Sequence, residues 1–294
     1  MKNKFWTYIF GFILLAAVVL AIAVVTRTNT AAEELPEEEQ ILYLEPTWQV
    51  TYPTGTCYAV VDLNMRLEPD IKGQFFRSTQ YGSKLVIDHF EGDWAYRRYS
   101  GAYVYAGYLA HNDPAENFNL STDGLDSAKY AGYVIDLISE LPTPIQKIVK
   151  DYKILLVSEP INKPGLPTET VTLGYTSITN NGHDRTIELF TNNNYLEATV
   201  YHEIGHTLDY WYASNHHNTY FSDTQEMKDA LEREKEALYT IIDPLRQTMI
   251  TDNKELFAEC YRLFITEPKN LEETAPATFT YMQKFLTNIY NGRY

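Results

Sequence analysis

Cysteine is nearly absent from this chain: Cys57 and Cys260 are the only two. Two thiols cannot build a disulfide framework, and they fall in different parts of the sequence, so two separate buried thiols are expected. No cysteine follows the N-terminal apolar segment to carry a lipid. Basic residues are in deficit, 24 Lys and Arg against 39 Asp and Glu, for a net charge of -15. Residues 1–27 contribute Lys2, Lys4 and Arg27 and no acid, which leaves the remainder more acidic still. Such a body repels nucleic acid and anionic surfaces, so nucleic acid is excluded as a partner and any contact with cell-wall peptidoglycan must be local. Internal repeats are also lacking.

Tyrosine is plentiful instead, at 24 residues in a chain with a 45% hydrophobic share, and suggests a folded, β-rich portion. Residues 5–25 (FWTYIFGFILLAAVVLAIAVV) hold no charge. At ~1.5 Å per residue that run is long enough to cross a ~30 Å hydrocarbon core. With Lys2 and Lys4 before it, residues 1–27 are expected to be a signal anchor, a single-pass transmembrane helix with the rest of the chain outside the membrane. The alternative is secretion after cleavage near TNTAAEE. Residues 28–48, including TAAEELPEEEQ, make an acidic, proline-broken linker.

From residue 49 short β-branched and aromatic runs alternate with turn residues: CYAVVDLNMRLEPD, SKLVIDHF, WAYRRYSG and AYVYAGYLA. Four or five strands in so short a stretch imply a small all-β barrel over residues 49–112. LNMRLEPD, YGSKLVID, GDWAYRRYSG and YVYAGYLA resemble the bacterial SH3-like domains of wall-associated proteins. That resemblance implies peptidoglycan or peptide binding. Residues 113–124 are expected to be a second linker.

The remainder, 125–294, alternates helical and strand patterns. LDSAKYAGYVIDLISELPTPIQKIVKDY has helical spacing broken at Pro142 and Pro144. KILLVSE, TVTLGYTS and DRTIELFT are expected strands, and NNNYLEATVYHEIGHTLDYWY, TQEMKDALEREKEALYTII, NKELFAECYRLFI and APATFTYMQKFLTNIY are expected helices. This is an α+β plan.

In YHEIGHTLDYW, His202 and His206 lie one turn apart on one helical face and can converge on an ion. Glu203 is rotated by about 100° from His202 and flanks that ion as a base for water. Tyr201, Ile204, Leu208 and Trp211 mark an interior helix, in which two unpartnered histidines are costly. A third ligand is needed. The HExxHxxGxxH route fails, because Asp209 and Tyr212 occupy its last two places. His216 and His217 lie in a loop, and Asp209 serves as polar support at the helix's far end. Glu255 and Glu259, one turn apart on a second helix, are the better source: one completes a His-His-Glu zinc site of thermolysin type and the other accepts the far N–H of a ligating histidine. Glu255 is expected to bind the zinc and Glu259 to accept that N–H, with exchanged roles as the alternative.

HEIGHTLD, followed by ELFAECYRLF and APATFTYMQKFLTNI, resembles the catalytic domain of anthrax toxin lethal factor and the related pro-pro endopeptidases. The resemblance implies a zincin-like metalloprotease domain with a small antiparallel sheet and an active-site helix, binding one zinc per chain. It assigns His202, His206 and Glu255 as zinc ligands, Glu203 as general base and Glu259 behind a histidine. It implies a zinc metalloendopeptidase (a gluzincin) acting on protein or peptide substrates. The family's oxyanion tyrosine falls at Thr248, and the nearest upstream tyrosine is Tyr239. A weak or inactive protease fold that binds envelope partners is the alternative. Substrate is expected as an added strand along RTIELF, with GYTSITNNGHD looping over the groove and His183 only a polar loop residue.

Overall fold

Lys84–Glu91 shows why the first half of the chain forms strands. Leu85 and Ile87 are buried while Lys84 and Asp88 are exposed, so alternate side chains face opposite sides of a pleated ribbon. The computed structural model describes residues 54–114, 118–162, 171–179 and 182–293. Seven strands come first: β1 (Gly55–Ala59), β2 (Leu63–Arg66), β3 (Phe75–Thr79), β4 (Lys84–Glu91), β5 (Trp94–Arg97), β6 (Ala102–Tyr105) and β7 (Leu109–Ala110). They form one antiparallel sheet in the order β3-β2-β6-β5-β4-β1-β7 around its own apolar cluster, which includes Cys57, Leu63, Met65, Leu85, Ile87 and Val104. The sequence suggested four or five strands. The short β2 and β7 add to that number because four and two residues are too few to show a period.

The expected linker at 113–124 is partly structure. β8 (Asn119–Thr122) pairs in parallel with β9 (Lys153–Val157), and Phe118 beside it is buried. A half-exposed edge strand of Asn, Ser and Thr has no apolar alternation to betray it. Between β8 and β9 run α1 (Leu125–Ala128), α2 (Ala131–Ser139) and α3 (Thr143–Val149), with the break at the prolines where the sequence placed it. The Asp136 carboxylate of α2 accepts the backbone N–H groups of His111 and Asn112 at 3.2 and 3.0 Å, and the Tyr105 hydroxyl donates to the Leu125 carbonyl at 3.1 Å. These bonds stitch the first sheet directly onto α2 and α1.

β10 (Gly174–Thr179) and β11 (Asp184–Phe190) complete a four-stranded sheet ordered β10-β11-β9-β8. Only β10 and β11 pair antiparallel; β11–β9 and β9–β8 are parallel. The expected antiparallel sheet is therefore mixed, because the helices α1 to α3 return the chain to the end where β8 began. The helices α4 (Leu196–Asn215), α5 (Gln225–Leu238), α6 (Pro244–Gln247), α7 (Asn253–Thr266), α8 (Pro268–Thr274) and α9 (Pro276–Tyr290) follow. They share a core with α2, α3 and the sheet that contains Ile154, Leu189, Ile204, Phe257, Tyr261 and Phe285.

One expectation is corrected. Among the described residues no helix is long and apolar enough to cross a membrane, so the structure supplies no transmembrane helix for a single-pass membrane protein. Residues 5–25 and the acidic linker at 28–48 lie outside the described residues.

Candidate metal centre

α4 and α7 carry the centre, and both are held by features local to their sequences. Asp252 caps α7, its carboxylate accepting the N–H groups of Lys254 and Glu255 at 2.9 and 3.1 Å, so Glu255 sits in the first turn of that helix. The two helices cross at Gly205. A Cβ added there would stand 2.8 Å from Ala258 Cα, so the glycine permits the approach that sets His202 and His206 against Glu255 and Glu259.

The Glu255 Oε2 atom lies 3.2 Å from His202 Nε2 and 3.3 Å from His206 Nε2. One ligand atom from each of the three residues lies within 4.8 Å of the others. Donors about 2.0–2.1 Å from a tetrahedral ion stand about 3.3–3.4 Å apart, so both measured edges fit zinc, and two imidazoles with a carboxylate are a zinc donor set. On the far side of the ring, His202 Nδ1 faces Glu259 Oε2 at 3.1 Å. Glu255 thus faces the Nε2 atoms and Glu259 the Nδ1 atom, the arrangement expected over its exchanged alternative.

Glu259 is 1% exposed and does not stand alone. Arg246 Nε lies 3.0 Å from both its oxygens, Arg246 Nη2 lies 2.8 Å from Oε2, and Arg262 Nε lies 2.7 Å from Oε1. Burial raises the proton affinity of Glu259, but His202 and Arg246 outweigh it and hold the group below the carboxylate range. Burial acts the same way on Glu255 and is likewise overcome by both histidines. For His202 burial disfavours the charged ring, yet the two carboxylates lift it to about 9 in the metal-free chain.

Glu203, 3% exposed, is placed by β10. The Thr176 hydroxyl donates to its Oε2 at 2.7 Å, and Gly174 lies against its Oε1, where a Cβ would collide with that oxygen and, at 2.6 Å, with Thr199 Cγ2. A cleft of about 600 Å³ opens over the centre, lined along one side by residues 171–179 and along the other by Thr248, Met249 and Thr251.

The remaining expected positions divide: some stand where expected and others move. Asp209 accepts the N–H and hydroxyl of Ser222 at 3.0 and 2.6 Å and so props the helix end. Tyr239 caps the C-terminus of α5, packs on the core with Lys235 Nζ 5.5 Å from its ring centroid, and is not among the cleft's lining residues. The structure thus does not bring Tyr239, the expected oxyanion donor, into the cleft lining; its half-buried ring packs against the core instead. The Thr248 hydroxyl donates to Leu245 within its own turn. The tyrosines that do line the cleft are Tyr175 and Tyr210. β11 lies between β10 and β9, so RTIELF has partners on both sides and β10 is the edge strand. GYTSIT is accordingly strand, not a covering loop. His216 stacks on Tyr212 with centroids 3.8 Å apart, outside the cluster.

A family model described as anthrax toxin lethal factor, N- and C-terminal domain, matches residues 175–285. Over these residues the chain is similar to lethal factor. The lethal-factor-like segment begins on β10, ends within α9 and includes every residue of the His202–His206–Glu255 cluster. No curated protein matches the chain at a significant level.

Sequence reasoning missed Arg246, Arg262, Gly174 and Thr176. Arg262 had a signal, three residues after Glu259 on one helix face. The others reach the centre from elements remote in sequence and left none.

Proposed function

We propose that the chain is a zinc metalloendopeptidase in which His202, His206 and Glu255 hold one zinc ion and Glu203 is the general base. The observation that carries this reading is the spacing of Glu255 Oε2 from the two Nε2 atoms, 3.2 and 3.3 Å, in a cleft that also holds Glu203. Zinc bound there supplies a Lewis acid for a carbonyl and makes water nucleophilic near neutral pH. Thr176 occupies Glu203 Oε2, which leaves Oε1 to take the proton of the attacking water and return it to the departing amine. Glu259 holds the Nδ1 proton on His202, so that Nε2 keeps its lone pair for the metal.

A peptide lies extended against β10, pairing backbone to backbone with an edge strand. Apart from His202, His206, Glu203, Glu255 and Glu259 of the centre and the paired Arg246, the lining residues carry no ionised side chain at neutral pH: they are Thr, Ser, Tyr, Gly, Met and aliphatic. Uncharged side chains are therefore favoured next to the scissile bond, since a charge there would be desolvated without a partner.

The test is digestion of a peptide library by wild type and Glu203→Gln, with metal content measured on both. About one zinc per chain in each, and cleavage by wild type alone between uncharged residues, is expected. Folded wild type that takes up no zinc overturns the reading. Thr248, which stands where a tyrosine donor is expected and whose hydroxyl donates to Leu245, favours a second reading, a protease fold that binds a wall or protein partner without cutting; zinc-loaded wild type inert across the library selects it.

A further inference from the structure

We propose that Arg246 is a positioning residue that ties the rim of the cleft to the metal centre, acting through Glu259 on His202. The inference rests on the zinc site proposed above.

A carboxylate offers two acceptor directions on each oxygen. On Glu259, Oε1 takes Arg246 Nε and Arg262 Nε, and Oε2 takes Arg246 Nη2 and His202 Nδ1. Every direction is filled, so the carboxylate cannot rotate without breaking a charged hydrogen bond, and the His202 ring is held with it. Arg262 comes from the same helix as Glu259 and can fix only one oxygen. Arg246 alone touches both, with its fork laid across the carboxylate. It is 8% exposed, and it also supplies a cation where Glu203, Glu255 and Glu259 crowd three acids into one cleft.

Arg246 belongs to neither donor helix. It sits in α6, within the segment from Asp243 to Asp252 that joins α5 to α7. That segment is pinned by the Gln247 amide, which donates to the Tyr239 and Ile242 carbonyls, both at 2.7 Å. Two residues past Arg246 the same segment lines the cleft with Thr248, then Met249 and Thr251. One side chain thus joins the substrate-facing rim to a ligating histidine, and displacement of the rim is transmitted to His202.

The experiment is competition of the full chain against a fluorescent zinc chelator at fixed pH, for wild type, Arg246→Met, Arg246→Lys, Glu259→Gln and the Arg246→Met/Glu259→Gln double variant. Metal-free melting temperatures and far-ultraviolet circular dichroism establish that each is folded, and the visible spectrum of the cobalt(II) forms reports ligand geometry. Arg246→Met is expected to weaken zinc binding by about tenfold, the lower end for groups behind a ligand, and to alter the cobalt spectrum. Arg246→Lys recovers part of the loss, because an ammonium cannot fork across two oxygens. In the Glu259→Gln background Arg246→Met costs less than about twofold, since its route to the metal is already cut. Zinc affinity within about twofold of wild type in folded Arg246→Met refutes the proposal, as does an undiminished loss in the Glu259→Gln background. Should Arg246→Met not fold, Arg246→Lys decides by itself: wild-type affinity and spectrum overturn the proposal, a partial loss with an altered spectrum supports it. Wild type that binds no zinc overturns both this inference and the site on which it rests.

Discussion

Single oxygen atoms divide the labour of the centre. Glu255 gives one oxygen to two Nε2 atoms, and Glu203 has one oxygen tied by Thr176 and the other turned toward Gly174. Thr176→Val keeps the shape and removes the tie. A hydrogen bond to a charged group is worth about 1.5–3 kcal/mol, so kcat is expected to fall by roughly one to two orders of magnitude with zinc content and KM little changed. Steady-state kinetics with metal analysis check this; a rise in KM at constant kcat would mean that Thr176 serves substrate binding instead. The residue types of the centre were legible because His202, Glu203 and His206 are contiguous in sequence and Glu255 and Glu259 lie one turn apart. Thr176 was not, because a threonine in a strand is ordinary.

At the scale of elements, the centre exists only where α4 crosses α7. Gly205→Ala places a methyl group 2.8 Å from Ala258 Cα, and the helices must part. Overpacking of this kind costs about 1–3 kcal/mol, read as a lower midpoint in urea denaturation. Zinc affinity is expected to fall with it, since Glu255 moves away from both histidines; unchanged affinity would show that the crossing does not set the ligand spacing. The longer helices were legible from their periodic apolar faces, whereas α6 and α8, of four and seven residues, were not. The placement of β10 was not, because a strand's rank within a sheet depends on partners elsewhere in the chain, and RTIELF has the more regular alternation of the two.

For the whole molecule, the metal-free state has a pH signature. His202 lies above its ordinary value of 6.5, at about 9, through its bonds to Glu255 and Glu259. A group raised on folding gives its stabilisation in full below the unfolded value and loses it as pH climbs through the folded one. The melting temperature of the metal-free chain is therefore expected to fall between about pH 6.5 and 9. Glu255 and Glu259, both lowered, act oppositely: their contribution holds above the ordinary carboxylate value of 4.5 and is lost as acid protonates them. Zinc bound as proposed would displace the His202 proton, so the loaded chain is expected to melt higher and to lack the alkaline decline. Calorimetric melting across pH with and without chelator measures this, and a metal-free chain that gains stability from pH 6.5 to 9 contradicts it.

The sequence by itself determined which side chains could bind a metal, because helical periodicity is local and places residues three or four apart on one face whatever surrounds them. It determined the α+β plan for the same reason. Tertiary structure decided which carboxylate meets Nε2 and which meets Nδ1, which strand edges the cleft, and that an arginine from the connecting segment braces the centre. Those outcomes depend on how elements cross and stack, which is set by packing between residues tens of positions apart.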